Sequence, residues 1–333
     1  MNKGNLFDYC LDNIETQHKS IFFIGNMIGN SLFTISIDNT NNKIYSYSNE
    51  WLYFIKNYYP DAAHYNDLVS YYHNIITTPN LNCCYADYNV IPFVTSFSKG
   101  TVHGYSGLFS ILAQYIDNYD IYKDYKILVY LNSQQGLLDI IHHFVDKNVI
   151  RKEQIIYVSS NIQYLFNSIK FIPNKWHTYP YLDPNFRLDL IDKYTIKENN
   201  YLSLKNDKVC IIKSSISVNI TNGGIVNQEL INGFCSINDL ICLEPTQMNE
   251  IELINRLNVS RIFVTSWGTS FFKNYIYVSD KCEKIIVIVT PDFMGQYNSH
   301  LTRNVLPTKH KNASILYHIV NTDLNNIILS DIM

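Results

Sequence analysis

From residue 90 onward, short runs of β-branched and aromatic residues alternate with longer amphipathic stretches. That alternation commits the chain to parallel strands with helices packed on their faces. Strands are expected at 90–95, 126–131 and 154–158, with helices at 104–118 and 135–147 between them. Between about 173 and 204 the pattern breaks at Pro173, Pro180 and Pro184, which block regular elements, so the domain boundary is expected in this stretch. The alternation then restarts with a strand at 208–213, a polar loop at 214–224, a helix at 224–233 and a strand at 240–243. A helix at 249–257, a strand at 261–265, a helical or irregular piece to Asn274 and a strand at 284–289 follow. After about residue 310 a strand and helix are expected to pack back on the body. Ahead of residue 90 the chain reads as short strands at 21–24, 31–37 and 43–47, the last two joined by the Asn/Thr turn at 38–42, followed by an aromatic helical piece at 51–59. At 333 residues the chain exceeds one ordinary core. The expected fold is therefore α/β, with two Rossmann-like domains, residues 1–195 and 196–333, facing a cleft that is a natural binding site.

Bulk properties remove several function classes. With 26 Lys+Arg against 29 Asp+Glu there is no basic field to hold nucleic acid. The 27 tyrosines, with abundant Asn, Ile and Lys, are the usage that AT-rich coding DNA favours, which points to a source such as a large DNA virus. The seven cysteines, Cys10, Cys83, Cys84, Cys210, Cys235, Cys242 and Cys282, form no C-x-x-C pair and no cluster at zinc spacing, and read as thiols in a reducing compartment. The first apolar stretch, 21–24, ends at Gly25 and Asn26, so no signal peptide or membrane span is expected and a cytoplasmic setting is, whether host cytoplasm or virion.

The candidate chemistry gathers at strand ends. The run 262–265 stops at Ser266-Trp267-Gly268-Thr269-Ser270, small residues that let a ligand approach the backbone, around one large aromatic that could stack on a base or sugar face but at such a place more often closes a core. In a doubly wound fold, ligands collect at the carboxyl ends of parallel strands, and hydroxyls there can serve an anion such as a diphosphate. Lys213 and Ser214 follow another strand end and could share that charge. Asn227 and Glu229 open the next helix, where they could accept from ribose hydroxyls or, for Glu229, simply answer the helix dipole. His103, between Gly100 and Gly104 at the start of an amphipathic helix, is the titratable group best suited to proton transfer near neutral pH, with Asp117, Asp183 and Glu244 as alternatives. His142 and His143 point to different faces of one helix and make no metal site.

Two stretches together resemble family 61 glycosyltransferases. Gly100-Thr-Val-His103-Gly-Tyr-Ser-Gly-Leu-Phe109, followed by the strand at 126–131, is similar to that family's histidine-led helix and its next strand. Val209-Cys-Ile-Ile-Lys213-Ser-Ser, with Ile225-Val-Asn227-Gln228-Glu229, is similar to its strand ending in a basic residue and the helix after it; the turn at 266–270 and Asn274 match its Gly-containing turn. The chain departs from the family in having Lys213 where arginine is usual and Trp267 where histidine is usual. The resemblance implies an inverting GT-B enzyme. It would take a sugar from a nucleotide donor, UDP-linked, to a glycan, glycoprotein or other hydroxyl acceptor, with His103 as base. No Asp-x-Asp motif stands at a strand end, so no metal and no cofactor beyond the donor are expected. The rival readings are a polysaccharide pyruvyl transferase using phosphoenolpyruvate and a catalytically silent carbohydrate-binding or scaffold protein.

Overall fold

The computed structural model describes residues 7–9, 14–16, 18–26, 32–38, 43–46, 83–94, 101–172, 208–212, 228–279, 281–302, 306, 308–310 and 312–320. Two compact units divide the chain, Met1–Tyr181 and Leu182–Met333. The boundary expected at 195/196, the helical piece at 51–59 and the helix after residue 320 lie outside the described residues.

The N-terminal unit holds two sheets. Strands β1 (Phe7–Tyr9), β3 (Ser20–Asn26), β4 (Leu32–Asp38), β5 (Lys43–Ser46), β6 (Cys83–Tyr85) and β10 (Gln163–Phe166) form one, in the order β1-β5-β4-β3-β10-β6. Its centre, β5-β4-β3-β10, is antiparallel throughout. Strands β2 (Ile14–Glu15), β7 (Asn89–Pro92), β8 (Lys126–Tyr130), β9 (Ile155–Val158) and β11 (Ser168–Phe171) form the other, in the order β2-β11-β7-β8-β9, parallel except for β2. Between its strands run α1 (Thr101–Asp117), a single turn α2 (Tyr119–Tyr122) and α3 (Gln135–Asp146).

Alternation along β7 and β8 decides what each face meets. Val90, Val94, Leu128 and Tyr130 join Phe22, Ile24 and Phe166 of the first sheet in one core. Ile91, Phe93, Ile127 and Val129, also buried, face the helices, and Phe93 meets Tyr115 of α1 edge-on at 5.4 Å. Strands wanted apolar on both faces carry near-continuous hydrophobic runs, which is how they announced themselves in the sequence. This unit differs from the expected doubly wound pattern, because a second sheet covers one face of its parallel sheet. The alternating runs of β3 and β4 pointed to strands; the strands β10 and β11, separated by Asn167 alone, carried no such signal.

The C-terminal unit has one sheet. Strands β12 (Lys208–Ile211), β13 (Ile241–Cys242), β14 (Ile262–Ser266), β15 (Lys284–Val289), β16 (Lys309–His310) and β17 (Ala313–Ile319) lie in the order β13-β12-β14-β15-β17-β16. All neighbours are parallel except the β16–β17 hairpin. Numbered along the chain, the five parallel strands read 2-1-3-4-5, a doubly wound order that reverses between β12 and β14. Helices α4 (Gln228–Ile237), α5 (Glu250–Asn258), α6 (Thr269–Asn274) and α7 (Met294–Thr302) fall between the strands. Right-handed crossovers send α4 to one face and the later helices to the other. The packing agrees: Ile231, Phe234 and Cys235 of α4 share a core with Cys210, Ile212, Val264, Ile286 and Ile288. The helix expected at 224–233 instead runs through Gly233, and Asp239, at φ 53°, is the left-handed residue beyond its end, with the Leu240 amide donating to the Cys235 carbonyl at 2.9 Å.

Candidate functional site

Strand β14 is apolar and β-branched until Thr265, and its pairing persists one residue past Ser266, since the Trp267 amide donates to the Ile288 carbonyl at 2.8 Å. Gly268 then turns the chain with φ 102° and ψ −145°, a conformation essentially closed to residues with a Cβ. Thr269 opens α6. The turn therefore needs its glycine, which is half-buried between the buried Trp267 and Ser270.

Ser266 and Trp267 are neighbours that serve opposite layers. Trp267 is 1% exposed and is ringed by Phe271, Phe272, Tyr297, His300 and Tyr317, with centroids 5.2 to 6.1 Å away. Its indole N–H donates to Gln296 Oε1 at 3.1 Å. Of the two expected roles, stacking on a base and closing the core, the structure gives the second: the ring is spent on the core, with Phe271 stacked on it. Ser266 shares a face with Val264, the face that α4 covers. Its side chain is 2% exposed, and its hydroxyl has no hydrogen-bond partner. A buried hydroxyl without a partner is costly, by about 1–3 kcal/mol, and calls for an explanation such as a ligand.

Register completes the arrangement. Ile211 pairs with Thr265, so Ile212 lies beside Ser266 at the carboxyl ends of the two strands that flank the reversal. Lys213 follows Ile212 in the chain; Lys213, Ser214 and Asn227 lie outside the described residues. Helix α4 returns from that same end, because a crossover helix starts where its preceding strand stops, and Glu229 is exposed in its first turn. Ser270 is buried, and its carbonyl accepts from the Asn274 side-chain amide at 2.8 Å; the Asn274 carbonyl oxygen is a second buried polar atom with no partner.

His103 is the third residue of α1, so it sits within the first turn rather than ahead of the helix as expected. That helix follows β7, which with β11 flanks the strand-order reversal of the N-terminal parallel sheet. Of the alternative bases, Asp117 ends α1 and is exposed, Glu244 is exposed after β13, and Asp183 lies outside the described residues.

One charged group escaped the sequence reading. Glu250, in the first turn of α5, is 4% exposed and binds Lys273 Nζ at 2.8 Å and the Tyr277 hydroxyl at 2.9 Å. Helix propensity marks Glu250 as an ordinary first-turn acid, and no local signal tells that Lys273 will meet it. The pair ties α5 to α6 just beyond the Gly268 turn.

Among the described residues no group of three or more His, Cys, Asp or Glu side chains could hold a metal ion, and no helix is long and apolar enough to cross a membrane. No protein-family model matches the chain, and no curated protein is significantly similar to it.

Proposed function

We propose that the chain is an inverting glycosyltransferase of GT-B type that moves a sugar from a UDP-linked donor to a glycan or other hydroxyl acceptor. The observation that carries this reading is the buried, unpartnered hydroxyl of Ser266 at the strand-order reversal of the C-terminal sheet. Ligands of doubly wound sheets lie at such reversals, outside the carboxyl ends of the strands. The sequence puts Lys213, Ser214 and the small residues of the Gly268 turn after those two strand ends.

In this reading the donor diphosphate lies along Ile212 and Ser266. The Ser266 hydroxyl donates to a phosphate oxygen, and the Lys213 ammonium neutralises the charge that grows on the leaving group. Glu229 and Asn227 accept from ribose hydroxyls. His103 takes the acceptor hydroxyl's proton as the oxygen attacks the anomeric carbon, which inverts its configuration. Trp267, Gly268 and Lys273–Glu250 hold the turn in shape without touching the donor.

Calorimetric titration with UDP, a UDP-sugar and phosphoenolpyruvate tests the reading. Binding of UDP or the UDP-sugar supports it; binding of phosphoenolpyruvate alone replaces it with the pyruvyl-transferase reading. Lys213→Ala should weaken UDP binding by about 1–3 kcal/mol. His103→Ala should leave that affinity intact and lower turnover by about 10²- to 10⁴-fold. Turnover should persist in excess EDTA; loss restored by manganese overturns the metal-free step.

A further inference from the structure

Three thiols of the C-terminal unit, scattered in the sequence, meet in one core. Cys210 on β12 and Cys242 on β13 are register partners on neighbouring parallel strands, so both leave the sheet on the same face. Helix α4 lays Cys235 over that face, where Cys210 and Cys235 belong to one cluster with Cys242 packed against it. The Cys235 thiol hydrogen-bonds with both of the others. All three are free thiols.

Their access differs. Cys210 is 0% and Cys235 3% exposed, whereas Cys242 is only half-buried. An oxidant arriving from water therefore meets Cys242 first and finds Cys235 directly behind it. The resting state is protonated: the hydrogen bond with Cys210, then burial, pushes Cys235 up to about 12, and the hydrogen bond with Cys235, with burial, raises Cys242 further. At neutral pH the pair waits as thiols and reacts slowly.

We propose that Cys235 and Cys242 are a disulfide-forming pair, with Cys242 the thiol that a hydroperoxide reaches and Cys235 the thiol that resolves it. Cys242 loses its proton and its sulfur attacks one peroxide oxygen; the O–O bond breaks, the departing oxygen leaves as water or alcohol, and Cys242 becomes a sulfenic acid. The Cys235 sulfur then attacks the sulfenic sulfur, the S–O bond breaks, and the hydroxyl leaves as water with the Cys235 proton. Each sulfur gives up one electron, and the two peroxide oxygens take them. The bond joins the last turn of α4 to β13 and fixes the helix against the sheet. None of this depends on the glycosyltransferase reading, because neither thiol belongs to the donor site.

The test uses the full chain with Cys83→Ser and Cys84→Ser, which removes the exposed thiols of β6. The folded protein is treated with hydrogen peroxide, denatured, alkylated with iodoacetamide and cut with a protease specific for Glu and Asp, which separates Cys210 from Cys235 at Glu229 and Cys235 from Cys242 at Asp239. A linked peptide pair lighter by two hydrogens, released by dithiothreitol, is the expected product. Adding Cys235→Ala should abolish the link and leave Cys242 as a sulfenic acid that dimedone traps. Full alkylation of both thiols after native oxidation overturns the proposal, as does a bridge from Cys210 to either of the other two or a bridge between chains. If the Cys235→Ala chain does not fold, the peptide map of its parent decides alone.

Discussion

The two parallel sheets reverse their strand order in the same way and are covered differently. In the N-terminal unit β11 and β7 flank the reversal, helices lie on one face and the six-stranded sheet lies on the other. In the C-terminal unit β12 and β14 flank it, with α4 on one face and the later helices on the other. A crossover helix brings its N-terminal amides to the carboxyl ends of the strands, so helices on both faces serve the reversal from both sides, whereas a covering sheet brings no such donors. Phe93, Val94, Tyr130 and Val158 are buried around the N-terminal strand ends, and β14 ends on the orphan hydroxyl of Ser266. Helices on both faces make the C-terminal unit the better place for an anion, which supports the donor site proposed there.

Alkali should separate the units most strongly. In the C-terminal unit burial raises the Cys282 thiol from 9.0 to about 12, and in the N-terminal unit burial raises the Tyr115 phenol from 10.0 to about 12. A group whose folded pKa exceeds its unfolded value contributes stability that is complete below the unfolded pKa and is lost as pH rises to the folded one. The C-terminal unit, which also holds Cys235 and Cys242, should therefore weaken from about pH 9 and the N-terminal unit from about pH 10. Hydrogen exchange resolved by peptide across this range would break the comparison if the N-terminal peptides opened first.

Trp267→Ala should cost the C-terminal unit about 3–5 kcal/mol, the range for emptying a large aromatic site, and leave the N-terminal unfolding transition unmoved. Equal shifts in both transitions would mean that the units do not unfold independently. Gly268→Ala should cost about 1–3 kcal/mol, since alanine must adopt φ 102° or remodel the turn. Asn249 caps α5 by accepting from the Ile251 amide at 2.8 Å, so Asn249→Ala should cost about 1 kcal/mol in denaturant titration. Ser266→Ala should change the stability of the free protein by close to nothing or raise it, because the hydroxyl has no partner to lose. The same variant should weaken UDP binding by about 0.5–1.5 kcal/mol; a clear loss of stability without ligand would show that the hydroxyl is already satisfied.

Where the sequence spoke, it spoke through patterns that local physics enforces. The strand at Lys284–Val289 was legible to the residue, because a β-branched run bounded by charge has one reading. Asn249 ahead of Glu250 marked the start of α5. The second sheet over β7 and β8 was not legible, since β10 is short and its place is set by pairing with β3, far away in the chain. At the site, the glycine turn and its strand end could be read; which way Trp267 and Ser266 point could not, because that depends on where β14 stops pairing with β15. The contact between Cys235 and Cys242 was likewise hidden, being a product of how α4 packs on β12 and β13 rather than of spacing.

The pairing of β2 with β11 also fixes when the N-terminal unit can close. The Thr16 hydroxyl and the Ile169 backbone amide that it accepts from are 153 residues apart, and β10, which completes the first sheet, comes almost as late. On the ribosome, β3 to β5 can form their hairpins early, yet the other edge of β3 stays unpaired, and the core around Phe22 and Ile24 incomplete, until Phe166 and Ile169 have been synthesised. Contacts so distant in sequence make for slow closure and a long exposure of unpaired strand edge. The nascent chain is consequently most vulnerable to misassociation, and most dependent on chaperones, during the interval between its first strands and β11.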